Sequence, residues 1–256
     1  MPEYETIRYE QHGRVARLVL NRPQVRNAQS WRLTEELDAA FQHAADDRSV
    51  GVIVLAGEGD HFSAGHDLGS PEQKAEMEAR PREEGLRGRY AGAWDLNVDV
   101  NLRWRNLPKP TIAEVKGYTI FAGVAIASAC DLIFAADDTM FLPTNYQYFA
   151  VPWDLGIRKS KEFLFESRFI DAHEALEHGM VNRVVPKERL EQETMEYAAR
   201  VAENDPFQLR MIKLAINQAQ DAQGFTQHIY GSFGHHILSQ AGEQDPGYAL
   251  RDPRKE

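Results

Sequence analysis

Two stretches carry residue types that suit chemistry on a polarised carbonyl. The first is Gly57–Leu68, GEGDHFSAGHDL. Its glycines permit tight turns, and Gly65 permits an unusual backbone angle just before His66. The second is Lys109–Ala136, KPTIAEVKGYTIFAGVAIASACDLIFAA, in which almost every residue from Phe121 to Cys130 is small or aliphatic. A helix with no polar face is predicted to be buried, and a buried helix start needs partners for its N–H groups. Facing a cavity at Ala122, such a start is a ready site for an oxyanion. Together the two stretches offer one oxygen atom two backbone N–H groups, those of His66 and Ala122.

Other candidate groups are single side chains. His61 and His66 carry imidazoles able to transfer protons near pH 7. Asp67 is placed to cap a following helix. Glu114 is odd within the apolar run IAEV, and is expected to face a polar pocket or a neighbouring subunit. His235-His236 lacks companions at metal-ligand spacing, so no metal site is expected. Cys130 reads as a small core residue.

The elements that must position these groups alternate. Tyr4–Tyr9 and Val15–Leu20 read as a hairpin. Ser30 suits the N-cap of a helix with Leu33, Leu37, Ala40, Phe41 and Ala44 on one face. Val50–Ala56, Thr111–Val115 and Leu132–Ala136 read as buried strands. Gly69–Tyr90 is charged and poor in apolar residues, and reads either as a mobile loop with helical pieces over the site or as plain solvated surface. Trp94–Asn106 is predicted helical, Phe141–Pro152 irregular, and about Ile157–Phe165 helical. Asp171 to Glu174 has the form of a capping box, and Asn182–Val185 is strand-like. Leu190–Glu203, Phe207–Gln220 and Phe225–Ser239 are predicted helices. Strands alternating with crossover helices predict an α/β fold.

Composition narrows the function. With 256 residues the chain is long enough for a large core. A net charge of −10 and no dense run of Lys and Arg argue against a nucleic-acid partner. No apolar run reaches ~18 residues, so no membrane partner is expected. A lone cysteine and an N-terminal segment without an apolar core predict a cytoplasmic location.

FSAGHDL and the stretch Lys109–Ala136 resemble the two signature blocks of the enoyl-CoA hydratase/isomerase (crotonase) family. NRPQVRNAQS resembles that family's CoA-side segment, and HEALEHGMVNRVVP resembles its C-terminal landmark. The four blocks occur in the family's order across about Tyr4 to Asn217. The resemblance implies a crotonase-like spiral of ββα units over residues 1–189. A helical C-terminal region, 190–256, would serve oligomerisation and part of the CoA pocket. It implies an enzyme on an acyl-CoA thioester, a trimer or dimer of trimers, and no cofactor beyond the CoA that the substrate carries.

The same resemblance assigns roles. The thioester oxygen would sit on the N–H groups of His66 and Ala122. Arg26, Asn27 and Ala28, with Ala64 and Gly65, would run along CoA, and Lys213 and Phe233 would reach it from the chain's own or a neighbour's C-terminal helix. Asp67, Leu68, Phe121, Gly123, Ala125, Thr144, Asn145, Tyr146 and Trp153 complete the substrate-binding set. Tyr146, Tyr148, Phe149 and Trp94 read as pocket or core aromatics; as a pocket set they would suit a bulky or cyclic acyl group.

Hydratases of this family hold water with two glutamates. This sequence has Ala125 at the first position and Thr144 or Asn145 at the second, and its glycine triplet is altered to Phe121-Ala122-Gly123. Water addition needs proton transfer at both carbons, and these residues supply none. The pattern points instead to isomerisation or hydrolysis. Asp154, in VPWDLG, falls where the family has a loop at the acyl end of the pocket, and similar dehalogenase, dienoyl-CoA isomerase and diketone hydrolase members use an aspartate there. Its neighbours Trp153 and Leu155 are expected to raise its pKa. The competing role is N-cap of a helix starting near Leu155. Two classes therefore stay open: an enzyme with Asp154 as acid/base, and a catalytically silent acyl-CoA-binding or scaffold protein.

Overall fold

The structure is a computed structural model and describes residues 3–80, 83, 85–143 and 146–241. Ile7–His12 (β1) and Val15–Leu20 (β2) form the antiparallel hairpin, with His12 opposite Val15 across the two-residue turn Gly13-Arg14. Gly13 has φ +60, the backbone such a tight hairpin turn requires. That turn sets the register, so β1 begins three residues later than the apolar pattern from Tyr4 suggested.

From β2 the sheet continues through parallel strands Val52–Gly57 (β3), Thr111–Val115 (β4), Leu132–Ala136 (β6) and Arg183–Val185 (β9). β2, β3 and β4 are buried along their whole length, as parallel strands covered on both faces must be. Helix α1, Trp31–Asp46, covers one face with Leu33, Leu37, Ala40, Phe41 and Ala44. The Ser30 hydroxyl accepts from Leu33 N–H at 3.1 Å as the predicted cap, a bond worth about 1 kcal/mol. Helix α9, Leu190–Ala202, covers the other face, packing Leu190, Ala198 and Ala202 on Val15, Val52, Val54 and Ile112.

Glu114 is explained here. It points to the α9 face, where its Oε1 accepts from Arg17 at 2.9 Å, and Arg17 also reaches Glu191 on α9. The buried carboxylate is a structural ion partner, not part of a pocket or of the active site.

A second, small sheet holds Tyr118–Ile120 (β5), Met140–Leu142 (β7) and Ile170–Asp171 (β8). Strands this short leave no readable alternation in sequence. The chain runs from β4 into β5 and then helix α5, Ala122–Ser128. From β6 it runs into β7, then Val151–Asp154 (α6) and Ile157–Glu166 (α7). These two turns each add a strand to each sheet before a helix returns, the ββα spiral that the sequence resemblance implies.

The charged stretch after Gly69 folds as Pro71–Ala79 (α2) and Gly85–Ala93 (α3), followed by a π-helical turn, Trp94–Asp99, and Val100–Arg105 (α4). Ala172–Glu177 (α8) starts at Asp171, whose carboxylate accepts from Glu174 N–H. Pro206–Ala222 (α10) and Phe225–Ser239 (α11) complete the helical C-terminal region. Among the described residues, no helix is long and apolar enough to cross a membrane.

Candidate active site

The two signature stretches are knitted backbone to backbone. Ser63 N–H donates to Tyr118 O at 3.1 Å, and Ile120 N–H donates to Ser63 O at 2.9 Å. Gly65 has φ +89, and a Cβ there would lie 2.8 Å from Ile120 O and 3.4 Å from Ala122 N. A Cβ on Gly123 would lie 2.7 Å from Ser63 O. Only glycine permits both approaches. The turn before His66 therefore lies against the first residue of α5. Phe121, the residue before that helix, has φ 49 and ψ −110, an uncommon backbone for a bulky side chain, so the chain turns sharply to aim the helix start.

Along α5 only Ala125 and Ser128 are partly exposed, and Phe121 just before it shares their stripe. Ser128 Oγ donates to Asp154 Oδ2 at 2.7 Å. Asp154 keeps partial exposure, yet burial pushes its carboxyl up to about 7, opposed by the Ser128 hydrogen bond. The N-cap role expected for Asp154 is not what forms. It ends α6 rather than preceding a helix, and α7 starts after Gly156 with no side-chain cap. Trp153 beside it donates from its indole to His228 Nδ1 at 3.1 Å.

A cavity of about 570 Å3 opens beside the His66 loop, walled by α2, α3, the π-helical turn and α11. Its apolar lining includes Trp31, Met77, Leu86 and Leu96, with Leu68 at its rim, 88% exposed. His66, Gln147 and His236 also line it. His66 Nε2 lies 2.6 Å from Gln147 Oε1. Burial holds the His66 pKa below its usual value, with Gln147 opposing. Burial, and then the neighbouring His66, push His236 down to about 4.

Several expected site residues are held in hydrogen bonds of the scaffold. Asn27 is fully buried, and its amide holds Arg22 N, Glu58 O and His61 O. The Asp67 carboxylate accepts from Arg22, Gly69 N and Ser70. Ser70, not Asp67, caps α2. His61 Nδ1 accepts from Tyr118 N–H at 3.1 Å and the ring stacks on Tyr118, so it holds the start of β5. Lys213 is buried against Asp131 and Lys109 O, and Phe233 is fully buried among Tyr90 and Trp94. Neither reaches outward toward CoA from this chain.

Arg26 is exposed, with its guanidinium over Tyr118, and Ala28 and Ala64 are partly exposed beside it. Ala122, Gly123, Ala125, Tyr146, Trp153 and Asp154 do not line the cavity. Nor do Trp94, Tyr148 and Phe149, which pack with Phe233, Phe225 and His228 rather than forming a pocket set. Thr144 and Asn145 lie outside the described residues. The sequence reading overlooked Ser128 and Gln147. Ser128 is the single hydroxyl in an otherwise apolar helix, a signal that was available. Gln147, in an irregular aromatic loop, left none.

A profile of the enoyl-CoA hydratase/isomerase family matches residues 10–241. The chain belongs to that family. It is 39% identical to EchA13 of Mycobacterium tuberculosis, over 93% of this chain and 82% of that protein. Its fold is similar to the crystal structure of a probable enoyl-CoA hydratase from Mycobacterium smegmatis, with TM-score 0.84 and 41% identity over 91% of this chain and 93% of the other. A probable enoyl-CoA hydratase from Mycobacterium thermoresistibile is similar at TM-score 0.84 and 43% identity, with the same coverage.

Proposed function

We propose that the protein binds an acyl-CoA thioester with its carbonyl oxygen between the backbone N–H groups of His66 and Ala122. There it stabilises an enolate or oxyanion, and Asp154 transfers the proton in an isomerisation or a hydrolysis. The observation that carries this reading is the seam between the two signature stretches, with Gly65 packed on the residues that open α5. Two preorganised donors favour charge that develops on oxygen, each worth ~3–4 kcal/mol. Asp154 supports the proton-transfer part. A carboxyl with a pKa of about 7 is poised to give or take a proton at neutral pH.

Two-glutamate hydration has no support in this chain. Ala125 offers only a methyl group at the first glutamate position. CoA itself supplies the handle, so no separate cofactor is invoked, and a cytoplasmic location belongs to the same reading. The reading extends to self-association as a trimer or dimer of trimers. On α10, Phe207, Met211 and Leu214 are 63%, 37% and 39% exposed and lie at i, i+4 and i+7 on one side of the helix, an apolar face that a neighbouring copy would cover.

The test is a panel of linear, branched and cyclic acyl-CoAs offered to the wild type and to Asp154→Asn. The reading expects turnover that falls by ~10²-fold or more in the variant, and crotonyl-CoA hydration far below ~10 per second. Binding without turnover of any thioester would favour the silent acyl-CoA-binding role instead.

A further inference from the structure

We propose that His228 is a positioning residue: by accepting the indole N–H of Trp153 it ties helix α11 to the α6 turn and so holds Asp154 in place. This deepens the reading of Asp154 as the proton-transfer group and rests on it.

The turn that carries Asp154 has little of its own to hold it. α6 has four residues and no side-chain cap, and Gly156, with φ +78, follows two residues after Asp154. Its amides close only locally: Trp153 N–H and Asp154 N–H both donate to Ala150 O, at 2.7 and 3.1 Å. Val151 and Leu155 anchor its flanks in the core. A single turn is marginal in water, so tertiary bonds must fix the residues between. Two adjacent side chains supply them, each to a different helix. Asp154 Oδ2 accepts from Ser128 on α5 at 2.7 Å, and Trp153 Nε1 donates to His228 Nδ1 on α11 at 3.1 Å.

The second bond sits in an aromatic cluster. The His228 ring packs on Phe149 at 5.8 Å between centroids and on Trp153 at 6.1 Å. Trp153 stands edge-on to Phe225 at 5.4 Å, and Phe225 lies under the Arg105 guanidinium of α4 at 4.4 Å. The indole therefore seats against Phe225 and His228, three residues apart on one face of α11. The same helix walls the cavity with His236 and Ile237. The bond thus joins one wall of the cavity to the segment that carries Asp154.

The chemistry of the bond makes it sensitive to protons. An indole N–H only donates, so Nδ1 carries a lone pair and the ring proton is on Nε2. Protonated His228 has no acceptor left, and the bond is lost. Burial holds the His228 pKa below its usual value, so the neutral, bonding form prevails at neutral pH. The titratable groups on the elements packed against His228 are Tyr146 and Tyr148 of the loop before α6, Asp154 of α6, and Tyr230, His235 and His236 of α11 itself, with Arg105 and Asp221 paired beyond Phe225. Asp154 keeps its proton up to about pH 7, so it adds little charge in the range where His228 titrates.

The bond is read in the full chain, without substrate, from the indole N–H signals of the four tryptophans. Trp153 is assigned by the signal lost in Trp153→Phe. Its signal is expected downfield at pH 8, moving upfield with one ionisation below about pH 6.5. A Trp153 signal at the free-indole position at pH 8 overturns the proposal, because no bond then exists.

The effect on Asp154 is read from its carboxyl 13C signal. In the wild type that group should ionise at about 7. His228→Phe keeps an aromatic ring and removes the acceptor. The freed turn admits water, and the Asp154 ionisation should fall by about one pH unit or more toward ~3.9. His228→Asn offers an amide oxygen that accepts the indole N–H at any pH, and it should restore the wild-type value. An Asp154 ionisation unchanged in His228→Phe overturns the proposal. Should that variant fail to fold, Trp153→Phe removes the same bond from its other end and carries the same expectation.

Turnover separates the proposal from the reading it rests on. His228→Phe should lower kcat by about tenfold or more with KM little changed, and His228→Asn should recover it. Unchanged turnover in Asp154→Asn would overturn the proton-transfer reading, while the carboxyl titration still decides whether His228 places Asp154.

Discussion

The hydroxyl of Ser128 donates to the carboxylate of Asp154 at 2.7 Å, tying the last residue of α5 to the last residue of α6. The helix that begins at the turn proposed to bind the thioester oxygen thus also holds Asp154, the proposed proton-transfer group, at its other end. Removing this bond is expected to act on the charge state of Asp154 before it acts on folding. Hydrogen bonding favours the ionised carboxyl, so Ser128→Ala should raise the Asp154 pKa further above 7. A hydrogen bond to a charged group is worth ~1.5–3 kcal/mol, or about one to two pH units. The ionisation in the rate profile should shift upward by about that amount, and Ser128→Thr should restore it. Identical profiles for the wild type and Ser128→Ala would separate Asp154 from the chemistry.

Asp154 should also cost the fold stability at neutral pH. Its folded pKa of about 7 stands above the ~3.9 of an unfolded aspartate. Between those values the native state binds more protons than the unfolded state, so stability falls as pH rises from about 4 to 7 and then levels. Asp154→Asn removes this dependence. The variant should melt higher than the wild type at pH 8, by at most ~4 kcal/mol, with the gap closing toward pH 4. Urea midpoints at both pH values check it. A variant less stable than the wild type at pH 8 would mean that the carboxylate is stabilising.

Gly65 offers a test of the seam itself. At φ +89, with Ile120 O 2.8 Å from any Cβ, Gly65→Ala is strained twice over. The cost is expected at about 1–3 kcal/mol in stability, and the rate should fall by more than that loss alone explains, because the His66 amide moves. Gly224→Ala is the control. It also has positive φ, but a Cβ there meets nothing within 4 Å, so it should lose stability without losing rate. Equal rates for the two variants would show that the seam does not position the reacting groups.

What the sequence carried and what it did not divide along physical lines. Long apolar runs and capping residues predicted the large sheet, the α1 face and the three C-terminal helices, because burial on a fixed period leaves a pattern. The small sheet left no pattern, since β8 is a pair of residues and β5 and β7 have three each. The seam between the two signature turns was legible because glycine at a close approach is a chemical requirement. Partnerships between side chains were not. Nothing local in the sequence says that Glu114 pairs with Arg17, that Lys213 pairs with Asp131, or that Ser128 meets Asp154. These pairs are 97, 82 and 26 residues apart and form only when the spiral closes. Asp154 was legible as a carboxyl between apolar neighbours, while its separation from helix capping depended on α7 starting at Ile157 rather than near Leu155.

The most direct measurement is the position of a thioester oxygen in a complex with a non-reactive acyl-CoA analogue. The account predicts that oxygen within ~3.5 Å of both the His66 and Ala122 backbone nitrogens, with the acyl chain passing Ala125 toward Asp154. An analogue bound with its carbonyl oxygen beyond that distance from both nitrogens would contradict it.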